Sequence, residues 1–187
     1  ELNAAGGILG HKIELFIQDD ENKPELAASG TQKLIQDNRV SVIIGGMSSS
    51  STMAGAPIAQ RAGVIMISPW STNPKATAAG DYIFRACFSD DFQGKVMANF
   101  CVKNLGLKKL GVIVDVGNDG SRGQGEVFVR TAKELGAEIV AHESFTTGDR
   151  DFKTQLTKVK AANPEIIVLP AYYAEAALIQ KQARELG

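Results

Sequence analysis

Short, continuous apolar runs alternate with amphipathic stretches along most of the chain. Val40–Ile44, Val64–Ile67, Leu110–Val114, Glu138–Ala141 and Ile166–Leu169 read as strands, and Tyr82–Ala86 reads as extended. Lys12–Gln18 alternates only partly and reads as a further strand, closed by the turn residues Asp19-Asp20. Helical patterns lie between these runs. Pro24 suits a first helical turn, and Leu26, Ala27, Leu34 and Ile35 give an apolar face through Asn38. The polar run Ser48–Thr52 opens a helix that carries Met53, Ala56, Ile58 and Ala59. Phe92–Leu105, Glu126–Leu135, Asp151–Ala162 and Ala174–Gly187 complete the set, with Gly136 as a stop and Asp149 or Asp151 as a cap. This βαβα rhythm with unbroken apolar strands predicts α/β architecture, a mostly parallel sheet covered by helices. Ligands of such sheets bind beyond the carboxyl ends of strands, so those ends carry the functional question.

Composition narrows the classes. With 187 residues, 44% hydrophobic, 22% charged and a formal charge of −1, the chain is neither disordered nor fibrous. No apolar run reaches the roughly 18–20 residues of a membrane-spanning helix. A balanced charge without a Lys/Arg block argues against a nucleic-acid surface. Cys87 and Cys101 fit no metal-ligand spacing, and they are either a disulfide of an oxidising compartment or two buried thiols. Two histidines, His11 and His142, and the lack of a G-x-S-x-G elbow leave catalysis without support. No metal or cofactor motif is present, so none is expected.

Four strand ends attract attention. Gly46–Thr52 follows a strand and starts a helix, where free N–H groups, the helix dipole and five consecutive hydroxyl residues could hold an anion or carboxylate; an ordinary Ser N-cap is the plainer reading. Ser68–Pro74 follows the next strand, and its two prolines keep it out of helix with backbone groups free, beside the flat apolar wall of Trp70. Adjacent parallel strands would bring these turns together. Neither holds Lys or Arg, so the mixture suits a zwitterion better than a phosphate. Gly117–Gly125 reads as a glycine-rich loop; neither G-x-G-x-x-G nor G-x-x-x-x-G-K-[ST] runs through it, and Asp119 would oppose a pyrophosphate. Tyr172-Tyr173, after Pro170-Ala171, could cover a small ligand or pack between strand and helix.

Glu1–Ala5 reads as the last turn of a helix stopped by Gly6-Gly7, and with the helix at the other terminus it predicts a segment cut from a longer protein. Asn3–Gly10, Ser48–Thr52, Ser68–Pro74, Phe84-Arg85 with Phe92-Gln93-Gly94, and Pro170–Tyr173 occur in that order. Together they resemble the periplasmic leucine/isoleucine/valine-binding proteins, the type I solute-binding proteins of ABC transporters. The resemblance covers essentially the whole chain. It implies two three-layer αβα lobes with mostly parallel sheets, both incomplete here: residues 1–87 as the first, without its first strand and helix, and 88–187 as the second, without its later strands.

By the same resemblance the ligand-binding residues are Ser49 for the α-carboxylate with Ser50 beside it, the Trp70 carbonyl facing the ammonium with Ser71 as neighbour, Thr72 contacting both charged groups, and Tyr172 supplied by the second lobe. Relatives often carry Tyr before a Gly-x-Gly; read against Gly123-Gln124-Gly125, that place holds Arg122, which alters a lid contact and leaves aliphatic selectivity open. The missing first strand would lie between Lys12–Gln18 and Val40–Ile44, so a longer chain, a second chain or a swapped partner is expected to fill that gap. The implied function is capture of a branched-chain or other apolar amino acid by closure about a hinge near Ala86–Ser89, and delivery to an ABC-transporter permease in the membrane. The implied location is periplasmic or extracellular, with a lipid anchor as one form, and the protein would not be an enzyme. A sensor or receptor domain built on the same lobes is the alternative. A nucleotide-dependent α/β enzyme, which would bind at Gly117–Gly125, is a further one.

Overall fold

The computed structural model describes residues 1–187. In chain order the elements are α1 (Pro24–Gln36), β1 (Val42–Ile44), α2 (Ser49–Ala62), β2 (Ile65–Ser68), a 3-10 turn (Pro74–Thr77), β3 (Ile83–Arg85), α3 (Asp90–Asn99) running into a π turn (Phe100–Asn104), β4 (Lys109–Asp115), α4 (Asp119–Glu134), β5 (Glu138–Phe145), α5 (Lys153–Ala162), β6 (Ile166–Val168) and α6 (Tyr173–Leu186). They build two separate parallel sheets, ordered β1-β2-β3 and β5-β4-β6.

The first sheet is short and covered by helices on one face. Ile43, Met66 and Ile83 alternate inward and meet Ala56 and Ala59 of α2 and Leu34 and Ile35 of α1. Their neighbours along each strand point the other way: Val42, Ile44, Ile65 and Phe84 are exposed. Gly55 lets α1 and α2 close on each other, since a methyl there would lie 2.6 Å from Thr31 Oγ1. Gly63 ends α2 in the left-handed region, φ 66°, where a side chain is costly.

The second sheet is sandwiched. β4 is central and buried from Leu110 to Asp115, as its apolar run predicts. Leu110, Val112 and Val114 face Phe128 and Ala132 of α4 and Ala98 of α3. Ile113 faces the other way, into Phe145, Phe152, Leu156, Val159 and Ile179. Phe145 and Phe152 meet edge to face at 5.3 Å. The period of two along β4 thus supplies two cores, one under α3 and α4 and one under α5 and α6.

Two expectations fail. Lys12–Gln18 forms no strand. No strand lies alongside it, Leu15 and Ile17 stand in solvent, and the N–H and C=O of Ile13 are taken by the Asn3 side chain at 2.7 Å each. A cavity of about 220 Å³ is lined by Gln18–Asp20 together with residues of α1 and β1. The glycine-rich stretch, in turn, is not a loop: α4 begins at Asp119. Asn118 caps it by accepting from Ser121 N at 3.0 Å, and tight packing rather than flexibility explains its glycines. A methyl on Gly125 would lie 2.8 Å from Val114 Cγ2. Asp19 and Asp20 do form Asx turns, accepting from Glu21 N and Asn22 N. Cys87 and Cys101 are free thiols, and burial pushes both above the usual thiol range.

Candidate functional site

The carboxyl ends of β1 and β2 lead into the two turns singled out by the sequence, and a hydroxyl network holds these turns together. Ser68 Oγ donates to Gly46 O at 2.7 Å, and Thr52 Oγ1 donates to the same carbonyl at 2.9 Å. Ser71 Oγ lies 2.6 Å from Thr52 Oγ1 and 2.7 Å from Ser68 Oγ, and reaches Ser48 O at 3.0 Å. These groups are buried, so each needs a partner, and each has one. Arg85 and the Asp90 amide brace the same turn from the far side, donating to the carbonyls of Thr72 and Asn73.

On this platform sits a cleft of about 70 Å³, room for several waters or a small organic molecule. Ser49, Trp70 and Thr72 line it from the first sheet's side. Ser49 is the first residue of α2; its Oγ accepts from Asn73 N at 3.1 Å, which leaves its O–H to donate elsewhere. Ser48 caps Ser51 N, so the amides of Ser49 and Ser50 remain at the positive end of the helix. Tyr172, Asn118 and Gln124 line the opposite wall with the Asp115 carboxylate. Asp115 accepts from Thr147 Oγ1 at 2.6 Å and from Gly117 N at 2.9 Å. Ser121 Oγ joins the ends of β4 and β6, accepting from Asp115 N and donating to Pro170 O. Burial pushes the Tyr172 phenol above its usual range, opposed by a hydrogen bond with Asn118.

Four of the six residues picked from the sequence therefore share one cleft: Ser49, Trp70, Thr72 and Tyr172. Ser71 and Ser50 do not line it. Ser71 is fully buried in the hydroxyl network, and Ser50 turns to Asp119 of α4, donating to Oδ2 at 2.8 Å. Arg122 also lies outside, half exposed and paired with Asp119. Asp115 escapes the sequence reading, which holds Asn118, Ser121 and Gln124 only as part of a glycine-rich loop, although Asn118 three residues before Ser121 is a recognisable cap signal. No group of His, Cys, Asp or Glu could hold a metal. The wall carries a carboxylate and no cation, and a phosphate at the start of α4 would meet the Asp119 carboxylate. The arrangement offers hydroxyls and a helix N-terminus to a negative group, and carbonyls and a carboxylate to a positive one.

A family model described as periplasmic binding protein matches residues 1–187. The chain belongs to that family. It is 35% identical to an amino acid binding protein of Pseudomonas aeruginosa, covering 100% of this chain and 50% of that relative. It is 33% identical to Leu/Ile/Val-binding protein homolog 3 of Brucella melitensis, with the same coverage. Among solved structures, the leucine binding protein LivK of Thermotoga maritima superposes with a TM-score of 0.93 at 38% identity, covering 99% of this chain and 53% of that one. The branched-chain amino acid transporter substrate binding protein LivJ of Streptococcus pneumoniae, solved with isoleucine, gives 0.92 at 40% identity, covering 100% and 53%. The chain thus spans about half the length of the relatives it matches. The named relatives are solute-binding proteins, and no helix of this structure is long and apolar enough to cross a membrane.

Proposed function

We propose that the cleft captures, in the periplasm or outside the cell, the head group of an amino acid, branched-chain or otherwise apolar, for uptake through an ABC-transporter permease in the membrane. One observation carries the reading: the free donor of Ser49 and the start of α2 stand across a small cleft from Asp115, with no cation between them. The α-carboxylate would take Ser49 and the α2 amides, and Thr72 would bridge to the ammonium beside the Trp70 carbonyl. Tyr172 would cover the guest from the second sheet's side. Closure of the two αβ units about Ala86–Ser89 would exclude water and strengthen these hydrogen bonds. The names of the relatives support the ligand class.

Calorimetry on the intact protein tests the reading. Ser49→Ala and Thr72→Val should each weaken amino-acid binding by about 1–3 kcal/mol, the cost of leaving a buried charged partner short of a hydrogen bond. Unchanged affinity in both variants would refute the site.

A further inference from the structure

Ser50 and Asp119 are 69 positions apart and belong to helices α2 and α4, which pack on different sheets, yet they exchange two hydrogen bonds. Ser50 Oγ donates to Asp119 Oδ2 at 2.8 Å, and Asp119 N donates back to Ser50 Oγ at 3.1 Å. Asn73 adds a third bond across the cleft, its Nδ2 donating to Asp119 O at 2.9 Å. The same Asn73 donates its backbone N–H to Ser49 Oγ at 3.1 Å. A continuous chain of contacts thus runs from α4 through Asn73 to the hydroxyl that lines the cleft.

Close approach makes this chain possible. A methyl on Gly120 would lie 3.4 Å from Ser49 Oγ, and one on Gly123 would lie 2.3 Å from Asp90 Oδ2 and 3.0 Å from Asn73 Nδ2. Glycine at position 123 above all lets the first turns of α4 rest on the Asn73 turn. Electrostatics would otherwise oppose the contact, because the positive N-termini of α2 and α4 face each other. The Asp119 carboxylate sits between the two helix ends and offsets that repulsion.

We infer that Asp119, Ser50 and Asn73 form a closing clasp between the two αβ units. In this clasp Asn73 is a positioning residue: the second unit, once docked, fixes Ser49 with its free O–H toward the cleft. Ser50 serves closure and does not touch ligand. The clasp rests on the proposed amino-acid site for its effect on binding, whereas its effect on the closed arrangement stands independently.

The test is a mutant cycle on the intact protein with Ser50→Ala, Asp119→Asn and the pair. Stopped-flow measurement of amino-acid release, with leucine as the probe, and small-angle scattering of the unliganded protein are read together, with circular dichroism as the folding control. Each single variant should speed release roughly ten- to a hundredfold, the worth of a hydrogen bond to a charged group, and leave the association rate nearly unchanged. The double variant should release no faster than the faster single, because the two groups act as one pair. The variants should also scatter as more open particles without ligand. Additive effects on release with unchanged scattering would make Ser50 a ligand contact and overturn the clasp, as would unchanged release in both singles. Gly123→Ala, which keeps every bonding group but puts a methyl 2.3 Å from Asp90 Oδ2 and 3.0 Å from Asn73 Nδ2, should reproduce the faster release, and normal release there contradicts the clasp as well. If wild type binds no amino acid, the binding site itself is refuted, and the scattering comparison still decides the clasp.

Discussion

Ser71→Ala separates support from contact at the cleft. Ser71 Oγ is within hydrogen-bond reach of Thr52, Ser68 and the Ser48 carbonyl, and the residue is fully buried. Its single proton satisfies one acceptor at a time. After its removal, Thr52 and Ser68 keep Gly46 O as acceptor at 2.9 and 2.7 Å, and Ser48 O keeps the Thr52 amide at 3.0 Å. No buried group is orphaned, so the loss is that of one or two net hydrogen bonds, about 1–2 kcal/mol of stability in urea unfolding of the intact protein. Amino-acid affinity should fall less than in Ser49→Ala, since the turns shift slightly but their donors survive. A tenfold loss of affinity with unchanged unfolding midpoint would show that Ser71 touches the ligand, and the network argument would fail.

Two further outcomes follow from buried groups. The Asp90 carboxylate is buried without a well-formed hydrogen bond, and burial raises its pKa above the ordinary 3.8, only partly opposed by the nearby Thr72 and Gln124 side chains. The folded state then binds a proton more readily than the unfolded one, so this group makes stability fall as pH rises from about 3.8 through the raised value. Asp90→Asn should therefore stabilise the protein at neutral pH, by a few degrees in melting temperature, and the gain should vanish below that window; a loss of stability at pH 7 would contradict this. Phe128→Ala, at a fully buried position on the inner face of α4, should cost about 3–5 kcal/mol in urea unfolding, and a cost below 1 kcal/mol would show that this core collapses around the gap.

The buried strand β4 was legible because both of its faces are covered, which leaves an unbroken apolar run from Leu110 to Val114. The start of α2 was legible through its serines, and two turns at adjacent strand ends sufficed to bring Ser49, Trp70 and Thr72 together. Tertiary partners, which no local pattern encodes, decided the rest. Lys12–Gln18 has strand-like residues, but no strand of this chain pairs with it. Gly120, Gly123 and Gly125 suggested a loop, yet they are helical positions cleared for Ser49, Asp90 and Val114. Ser50 and Ser71 have the same chemistry as Ser49, and only the packing sends one to Asp119 and the other into the network.

A crystal structure of the intact protein with a bound amino acid tests the central claim most directly. The ligand carboxylate should lie about 3 Å from Ser49 Oγ at the start of α2, with the ammonium near Thr72 and the Trp70 carbonyl. An amino acid bound elsewhere, with Ser49 and Thr72 facing only water, would contradict the account.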